Sequence, residues 1–510
     1  MGSSRFNSVR YIVWGVALMN VLIHLAVHAN LEYHRDELLY FALGNHPAFG
    51  YATVPPLIGW IAWVMQSFFG HGLFAVKLFP ALLSGALILV TDRITISFGG
   101  KGYARVLTAV AILCLPVGLR AFHLFQPVPI DLFLWTLLCY MVIRYVETTK
   151  DRYLYLAGLV TGIALLNKYL ILLLLLALSI GLLCSPHRIV FKRKALYLSA
   201  GITFLLILPN MLWQWDHDFP VLGHMAALQE NQLVYVDRIG FVMEQLLLTF
   251  SVCFLVVAGW VFLAKQRQYR FLAITATLVF LVLLALQGKS YYTIGVYPFL
   301  VAAGSVAVAR TVYNVLFRVM IPLVVVGLTL PALPIGVPVY KEDGLIAYFK
   351  RLETEYGLEI GRRFEDGTVH ALPQDYADQL GWEELTAITS KAYHALPDKD
   401  KVVIYAENYG QAGAIAVIGK RYGLPEPISF HESFFYWKPD VLSKDVEYFI
   451  YINDELGTDV EAAFDKIEVA GRITNVNARE FGTTVYVCSE PIIPVRVLWE
   501  KALEMRTDPF

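Results

Sequence analysis

The chain has 510 residues, 57% hydrophobic and only 16% charged, whereas soluble domains average roughly 25% charged and 45–50% apolar. A net charge of −1 offers no basic field to collect phosphates, which argues against nucleic acid as a partner. The apolar excess is concentrated: Tyr11–Ile335 is one apolar run after another, and Val339–Phe510 reads as soluble. Residues 1–335 are therefore expected to form a membrane part and residues 339–510 a soluble domain.

The start, Met1–Arg10, is short and basic, and the apolar segment after it lacks a convincing small-residue cleavage site. Tyr11–Ala29 therefore reads as a retained first span rather than a removed signal peptide. A loop over 30–73 follows, and His34, Arg35, Asp36 and Glu37 stand side by side near its start, at the lip of the bilayer. A charge carried toward hydrocarbon costs ~2.5–3.5 kcal/mol even on lenient scales, so such groups tend to face a water-filled functional cavity. On a helix Asp36 and Glu37 would point about 100° apart, so one would face a substrate while the other orients it or fixes the loop.

Further along, the candidate spans are Phe74–Asp92, Ala104–Phe122, Asp131–Val146, Tyr153–Leu166 and Leu170–Cys184. Ala195–Trp213, Ile239–Ala264, Phe271–Leu286, Ile294–Tyr313 and Phe317–Leu333 complete the set. Pro55–Phe69 is apolar but short, and Gly70-His71-Gly72 leaves no room for a loop between two full spans. It reads as an interfacial helix with a proline in its first turn. The positive-inside rule supports that choice. With Pro55–Phe69 left out, Arg93, Lys101, Arg105, Lys150, Arg152, the Arg188–Lys194 cluster, Lys265, Arg267, Arg270, Arg310 and Arg318 all fall on the cytoplasmic side. The opposite face then receives Tyr33–Glu37, His123–Asp131, Asn167-Lys168, Trp213–Arg238, Gln287–Tyr292 and the soluble domain.

Several residues on that face can carry chemistry. Asp131 opens a predicted span, where an acid also suits a helix N-terminus, so capping and function stand level. Lys168 and Lys289 read either as lysines snorkelling to the interface or as cations placed to meet a lipid phosphate. Two of them on the face where positive residues are scarce favours the second reading. Gly288-Lys289-Ser290 lacks the upstream glycine and strand–helix context of a P-loop. Asp216, His217, Asp218 and His224 form a polar, aromatic loop that fits loop structure or substrate contact better than a metal. No cofactor is indicated; a divalent metal stays open as an alternative. Arg120 and His123 would add positive charge to the same rim. Cys114, Cys139, Cys184, Cys253 and Cys488 show neither metal-type spacing nor a disulfide framework, and read as inert.

Beyond Val339, strand-like runs (Lys401–Tyr405, Tyr448–Ile452, Thr484–Cys488) alternate with helical stretches (Trp382–Tyr393, Gln411–Tyr422, Val460–Val469). That alternation predicts a small α/β layer domain.

Tyr33-His34-Arg35-Asp36-Glu37-Leu38-Leu39-Tyr40, then Gly50-Tyr51 and Pro55-Pro56-Leu57, resembles the first extracytoplasmic loop of GT-C glycosyltransferases. Within these, the chain is most similar to the protein O-mannosyltransferase and aminoarabinose-transferase-like branch. Asp131 after Gln126-Pro127, the Asn167-Lys168 turn, and Gly288-Lys289 with Tyr291, Tyr292 and Pro298 are similar to later motifs of these enzymes. The resemblance covers most of Tyr11–Leu333. It implies a polytopic α-helical membrane protein of the GT-C fold, with about 11–13 transmembrane helices and a C-terminal extracytoplasmic α/β domain, in a bacterial inner membrane.

The reaction it implies is inverting transfer of a sugar from a polyprenyl-phosphate donor to a hydroxyl of a lipid, glycan or protein acceptor. By the same resemblance Asp36 is the general base, Glu37 its neighbour, and Asp131 the second loop acid that positions acceptor or sugar. Lys168 and Lys289 would hold the phosphate, while Arg35, Tyr51, His217, Tyr291 and Tyr292 would contact substrate. One departure stands out: aminoarabinose transferases carry Glu-Lys before the loop proline, where this chain has Thr53-Val54. A flippase for a lipid-linked saccharide is the alternative, and would call for ionisable groups near mid-bilayer and broken helices. A membrane-anchored receptor, a third reading, leaves the rim carboxylates unexplained.

Overall fold

The computed structural model describes residues 2–231, 237–364, 367–443 and 445–510. Met1 of the basic start and residues 232–236 of the predicted loop Trp213–Arg238 lie outside the described residues. The chain divides into two compact units. One comprises Met1–Val27, Val54–Leu57 and Lys77–Val337; the other His28–Thr53, Ile58–Val76 and Pro338–Phe510.

The first unit is helical. Among the described residues six helices are long and apolar enough to cross a bilayer: Ser8–Ala26, Leu73–Ser97, Pro127–Thr148, Lys194–Asp216, Ser290–Thr311 and Val315–Gly336. Two helix pairs, Ile171–Leu183 with Pro186–Lys192 and Arg238–Thr249 with Cys253–Lys265, are bent by 116° and 102°. Hydrocarbon gives helices no hydrophobic reason to associate, so close backbone approach and hydrogen bonds must hold them. Both are present. A Cβ on Gly259 would fall 1.9 Å from the Leu300 carbonyl oxygen, and one on Gly304 equally close to that of Leu255. The Ser199 hydroxyl donates to the Leu154 carbonyl at 2.7 Å, and that of Thr203 to the Gly158 carbonyl at 2.9 Å. Arg105 forks onto Asp92 at 2.7 and 2.8 Å, so one of the cationic residues counted for topology is spent in a buried pair.

Two predicted spans are interrupted. Ala104–Phe122 is a Gly102–Leu113 helix and a Pro116–Ala121 helix, because Pro116 has no N–H to continue the ladder and starts a new first turn instead. Ile239–Ala264 breaks between Thr249 and Cys253. Side chains of other helices satisfy the first break: the Cys114 carbonyl accepts from Ser251, at the second break, at 2.7 Å and from Thr329 at 3.3 Å. In lipid a freed carbonyl needs such partners. Pro55 and Pro56 lie just before the Leu57–Phe69 helix rather than in its first turn, and most of that helix belongs with the second unit. At 13 residues it is about 20 Å long, short of a ~30 Å hydrocarbon core.

The second unit holds a four-stranded sheet of β1 (Val402–Ala406), β2 (Tyr448–Asn453), β3 (Phe464–Arg472) and β4 (Thr484–Pro491), in the order β1-β2-β4-β3. β1 and β2 are parallel, with Tyr405 opposite Tyr451; β4 runs antiparallel to both β2 and β3. The predicted helix Val460–Val469 is corrected: a short Thr458–Glu461 helix leads into β3. β3 is an edge strand, and edges are kept from pairing by charge. Asp465, Lys466 and Glu468 serve that purpose and blur its alternation into a helix-like pattern. The first-loop helix Arg35–Ala42 packs on the Tyr409–Val417 helix through glycines. A Cβ on Gly410 would lie 2.8 Å from Arg35 Cγ, and one on Gly413 2.9 Å from Leu38.

Candidate active site

In the first unit the Pro127–Thr148 helix starts with Pro127 in its first turn, and Gln126 is its N-cap without a side-chain bond. Asp131 lies a turn deeper, buried, and accepts from Trp135 Nε1 at 3.0 Å. It does not cap the helix. The Asn167-Lys168 turn is tied to the same helix start, since Asn167 Nδ2 donates to the Pro127 carbonyl at 2.9 Å. This leaves the Lys168 ammonium 4.3 Å from the Tyr292 ring centroid and 5.4 Å from that of Tyr291, within cation–π range.

Tyr291 and Tyr292 lie in a 3₁₀ helix, Ser290–Val296, directly after Lys289. That helix rests on Trp135, since a Cβ on Gly295 would meet the indole at 2.5 Å. The indole that fixes Asp131 thus also seats the tyrosines. Burial pulls the Lys168 ammonium down to about 8; Asp131 opposes the shift and Lys289 adds to it. His224 is lowered by burial and by Lys289 and Lys168.

In the second unit His34 caps the Arg35–Ala42 helix: the Asp36 N–H donates to its Nδ1 at 3.1 Å, and the Glu37 carboxylate accepts from the His34 N–H at 2.9 Å. This capping box occupies the buried Glu37. Asp36 faces the other way, and its Oδ1 accepts from the Tyr409 hydroxyl at 2.9 Å. The Arg35 guanidinium lies 4.5 Å over the Tyr409 ring and 3.9 Å from Glu480. Glu480 also accepts from Gln411 at 3.0 Å.

A further carboxylate completes this cluster. Glu432 holds a left-handed backbone, φ 57°, a conformation that costs a non-glycine residue free energy. Its Oε2 accepts from the Thr53 hydroxyl at 2.8 Å. Burial raises Glu432 to about 7; the Thr53 bond and Arg35 oppose this, and the Asp36 charge reinforces it. Burial lowers His431 to about 4, helped by Arg35. Tyr51 is buried and its hydroxyl is used within the loop, donating to the Leu43 and His46 carbonyls at 3.2 Å. Its ring abuts Gly59, so it sets the loop's shape.

Residues 53–213 match the family model described as dolichyl-phosphate-mannose-protein mannosyltransferase. ArnT from Cupriavidus metallidurans bound to undecaprenyl phosphate superposes with a TM-score of 0.65 at 15% identity, over 94% of this chain and 97% of that one. Its apo state gives 0.60 at 13% identity, over 94% and 96%. The chain has the fold of the GT-C superfamily.

It is a multi-pass membrane protein. Lipid A galacturonosyltransferase RgtD from Rhizobium johnstonii is 24% identical to this chain over 261 residues, 50% of this chain. The match spans about half of that relative, 51% of its length. Of the residues expected from the sequence to form a site, the first unit gathers Asp131, Lys168, Lys289, Tyr291 and Tyr292. The second holds Arg35, Asp36, Glu37 and Tyr51. His217 is engaged locally, stacked on Trp213 at 4.1 Å with Nδ1 3.0 Å from the Trp213 carbonyl oxygen. His123 is buried and stacks on His24 at 6.1 Å. Tyr409, Glu432 and Glu480 did not emerge from the sequence. The Asn408-x-x-Gln411 capping box marks the helix that carries Tyr409, but no local pattern links it or Glu432 to Asp36. Among the described residues no group of three or more His, Cys, Asp or Glu is arranged to hold a metal ion.

Proposed function

We propose that the protein is an inverting glycosyltransferase. It moves a sugar from a polyprenyl-phosphate carrier to a hydroxyl of a lipid, glycan or protein acceptor, at the extracytoplasmic face of a bacterial inner membrane. The observation that carries this reading is Lys168 lying against Tyr291 and Tyr292, within electrostatic reach of Lys289 and Asp131, in a unit of membrane helices. A lysine partnered by ring faces and one carboxylate retains the charge to bind a phosphate.

In this reading Asp36 takes the proton of the acceptor hydroxyl as its oxygen attacks the anomeric carbon. The carbon–oxygen bond to phosphate breaks on the opposite side, and the phosphate leaves with the bonding electrons, giving inversion. Lys168 and Lys289 stabilise the charge that develops on the departing phosphate. Tyr409 aims Asp36 by its 2.9 Å hydrogen bond, and Asp131 positions acceptor or sugar. Where related enzymes carry an acid before the loop proline, Thr53 instead holds the carboxyl of Glu432. The acid that this loop lacks is supplied by the C-terminal domain, and a different sugar specificity is expected.

The test is transfer by purified protein from a radiolabelled polyprenyl-phosphate sugar. Product of inverted configuration is expected from wild type, and ~10²–10⁴-fold slower transfer from Asp36→Asn. Undiminished transfer by that variant would overturn the assignment.

A further inference from the structure

The C-terminal domain contains a cleft that no step above uses. On one face of the sheet, Tyr405 and Tyr451 stack in parallel at 5.5 Å with only 2° between their planes. Phe430 and Trp499 pack at 4.9 Å alongside. These rings wall a cavity of about 390 Å³, a size typical of small-ligand sites. Its polar lining includes Glu407, Asn453, Asp459 and Arg506. Arg506 pairs with Glu407 at 2.5 Å and reaches the Tyr405 hydroxyl at 3.3 Å. Tyr451 donates to Glu407 at 3.2 Å, and Asn453 to the Tyr451 hydroxyl at 3.3 Å.

A second cavity, of about 490 Å³, shares Glu407, Phe430, Met505 and Arg506 with the first and extends to Asn408 and His431. The chain neighbour of Asn408 is Tyr409, whose hydroxyl donates to Asp36, and the His431 ring packs edge-on to Tyr409 at 5.2 Å. The two cavities thus share lining residues, and the second reaches Asn408 and His431, which flank the Tyr409 that holds Asp36.

We infer that this cleft binds the saccharide part of the acceptor. A pyranose presents a C–H face that suits aromatic walls and a rim of hydroxyls that suits planar carboxylate, amide and guanidinium groups. A hydrocarbon chain would meet the same rings but would strip water from Asn453, Asp459 and the Glu407–Arg506 pair without replacing its hydrogen bonds. The word acceptor rests on the transferase reading; saccharide binding does not, and the two are measured separately.

Binding is read by saturation-transfer NMR on the full-length protein in nanodiscs. The probes are a glucosamine disaccharide, cellobiose and galacturonic acid, with octanoate as the hydrocarbon control. Two variants are used: Asn453→Ala removes a rim donor, and Ala502→Trp fills the chamber from its helical wall while leaving the sheet intact. At least one saccharide is expected to bind wild type and to lose tenfold or more in affinity in both variants. Asp36→Asn, in contrast, slows transfer and keeps that affinity. Binding of octanoate alone, of no probe, or equally well to all variants would overturn the inference. Where Ala502→Trp lowers the melting temperature, Asn453→Ala at unchanged melting temperature decides.

Discussion

In the first unit Lys168 faces two tyrosine rings and feels Asp131 through space. In the second, Asp36 accepts from a hydroxyl whose own ring is covered by the neighbouring guanidinium. Under the proposed transferase reading the difference fits two tasks. A cation that must seize and release a lipid phosphate gains from partners that leave its charge available. A base that must meet one hydroxyl gains from being fixed, because small misplacements are costly in rate. The scaffolds also differ: glycine contacts and hydrogen bonds join helices in both units, and the second adds capping boxes and a four-stranded sheet.

Replacing Asp36 by Asn is the hardest blow to this comparison. It is expected to cut kcat by ~10²–10⁴-fold, the range of general-base catalysis, while donor affinity in equilibrium binding stays put. Lys168→Ala should lower kcat by about 10²-fold and also weaken donor binding. If both variants moved the same parameters, the division of labour would be wrong. On the scaffold side, Gly304→Leu forces a side chain where a Cβ alone would meet the Leu255 carbonyl at 1.9 Å. A stability loss of at least ~1–3 kcal/mol is expected, visible as a lower melting temperature in detergent.

Glu432→Gln sharpens the comparison through pH. Glu432 is raised to about 7 from an ordinary 4.5, so its folded form holds the proton more tightly than its unfolded form. The stability it lends is complete below about 4.5 and is lost as pH rises through about 7. The variant should therefore gain on wild type in melting temperature across that window and keep the gain above it. A constant difference from pH 4 to 8 would place the origin of the shift elsewhere. The smallest effect concerns Glu37: Glu37→Gln should retain both cap and activity, and Glu37→Ala should cost about 1 kcal/mol. A kcat loss in Glu37→Gln matching that of Asp36→Asn would instead make Glu37 part of the chemistry.

Much of this was legible in the chain. Apolar runs of spanning length, a short Pro55–Phe69 segment and three of four strands could be read directly, because burial in lipid and strand alternation leave local periodic traces. β3 was misread because an edge strand trades alternation for charge. The two helix breaks differ in legibility. Pro116 signals one, but the break after Thr249 carries no proline, and the bond from its Ser251 to the Cys114 carbonyl spans 137 positions.

The sequence by itself determined that the protein lies in a membrane and that Asp36, Asp131, Lys168 and Lys289 are the groups to suspect. Tertiary structure alone decided what each one touches. It turned Asp131 from a cap into an acid held by Trp135, spent Glu37 and Tyr51 on the loop, and brought Tyr409 and Glu432 to Asp36 and Thr53. The physical reason is range. Hydrophobicity and helix signals act over a few residues and are written locally, whereas a hydrogen bond between positions 36 and 409 exists only once two distant helices pack at Gly410 and Gly413.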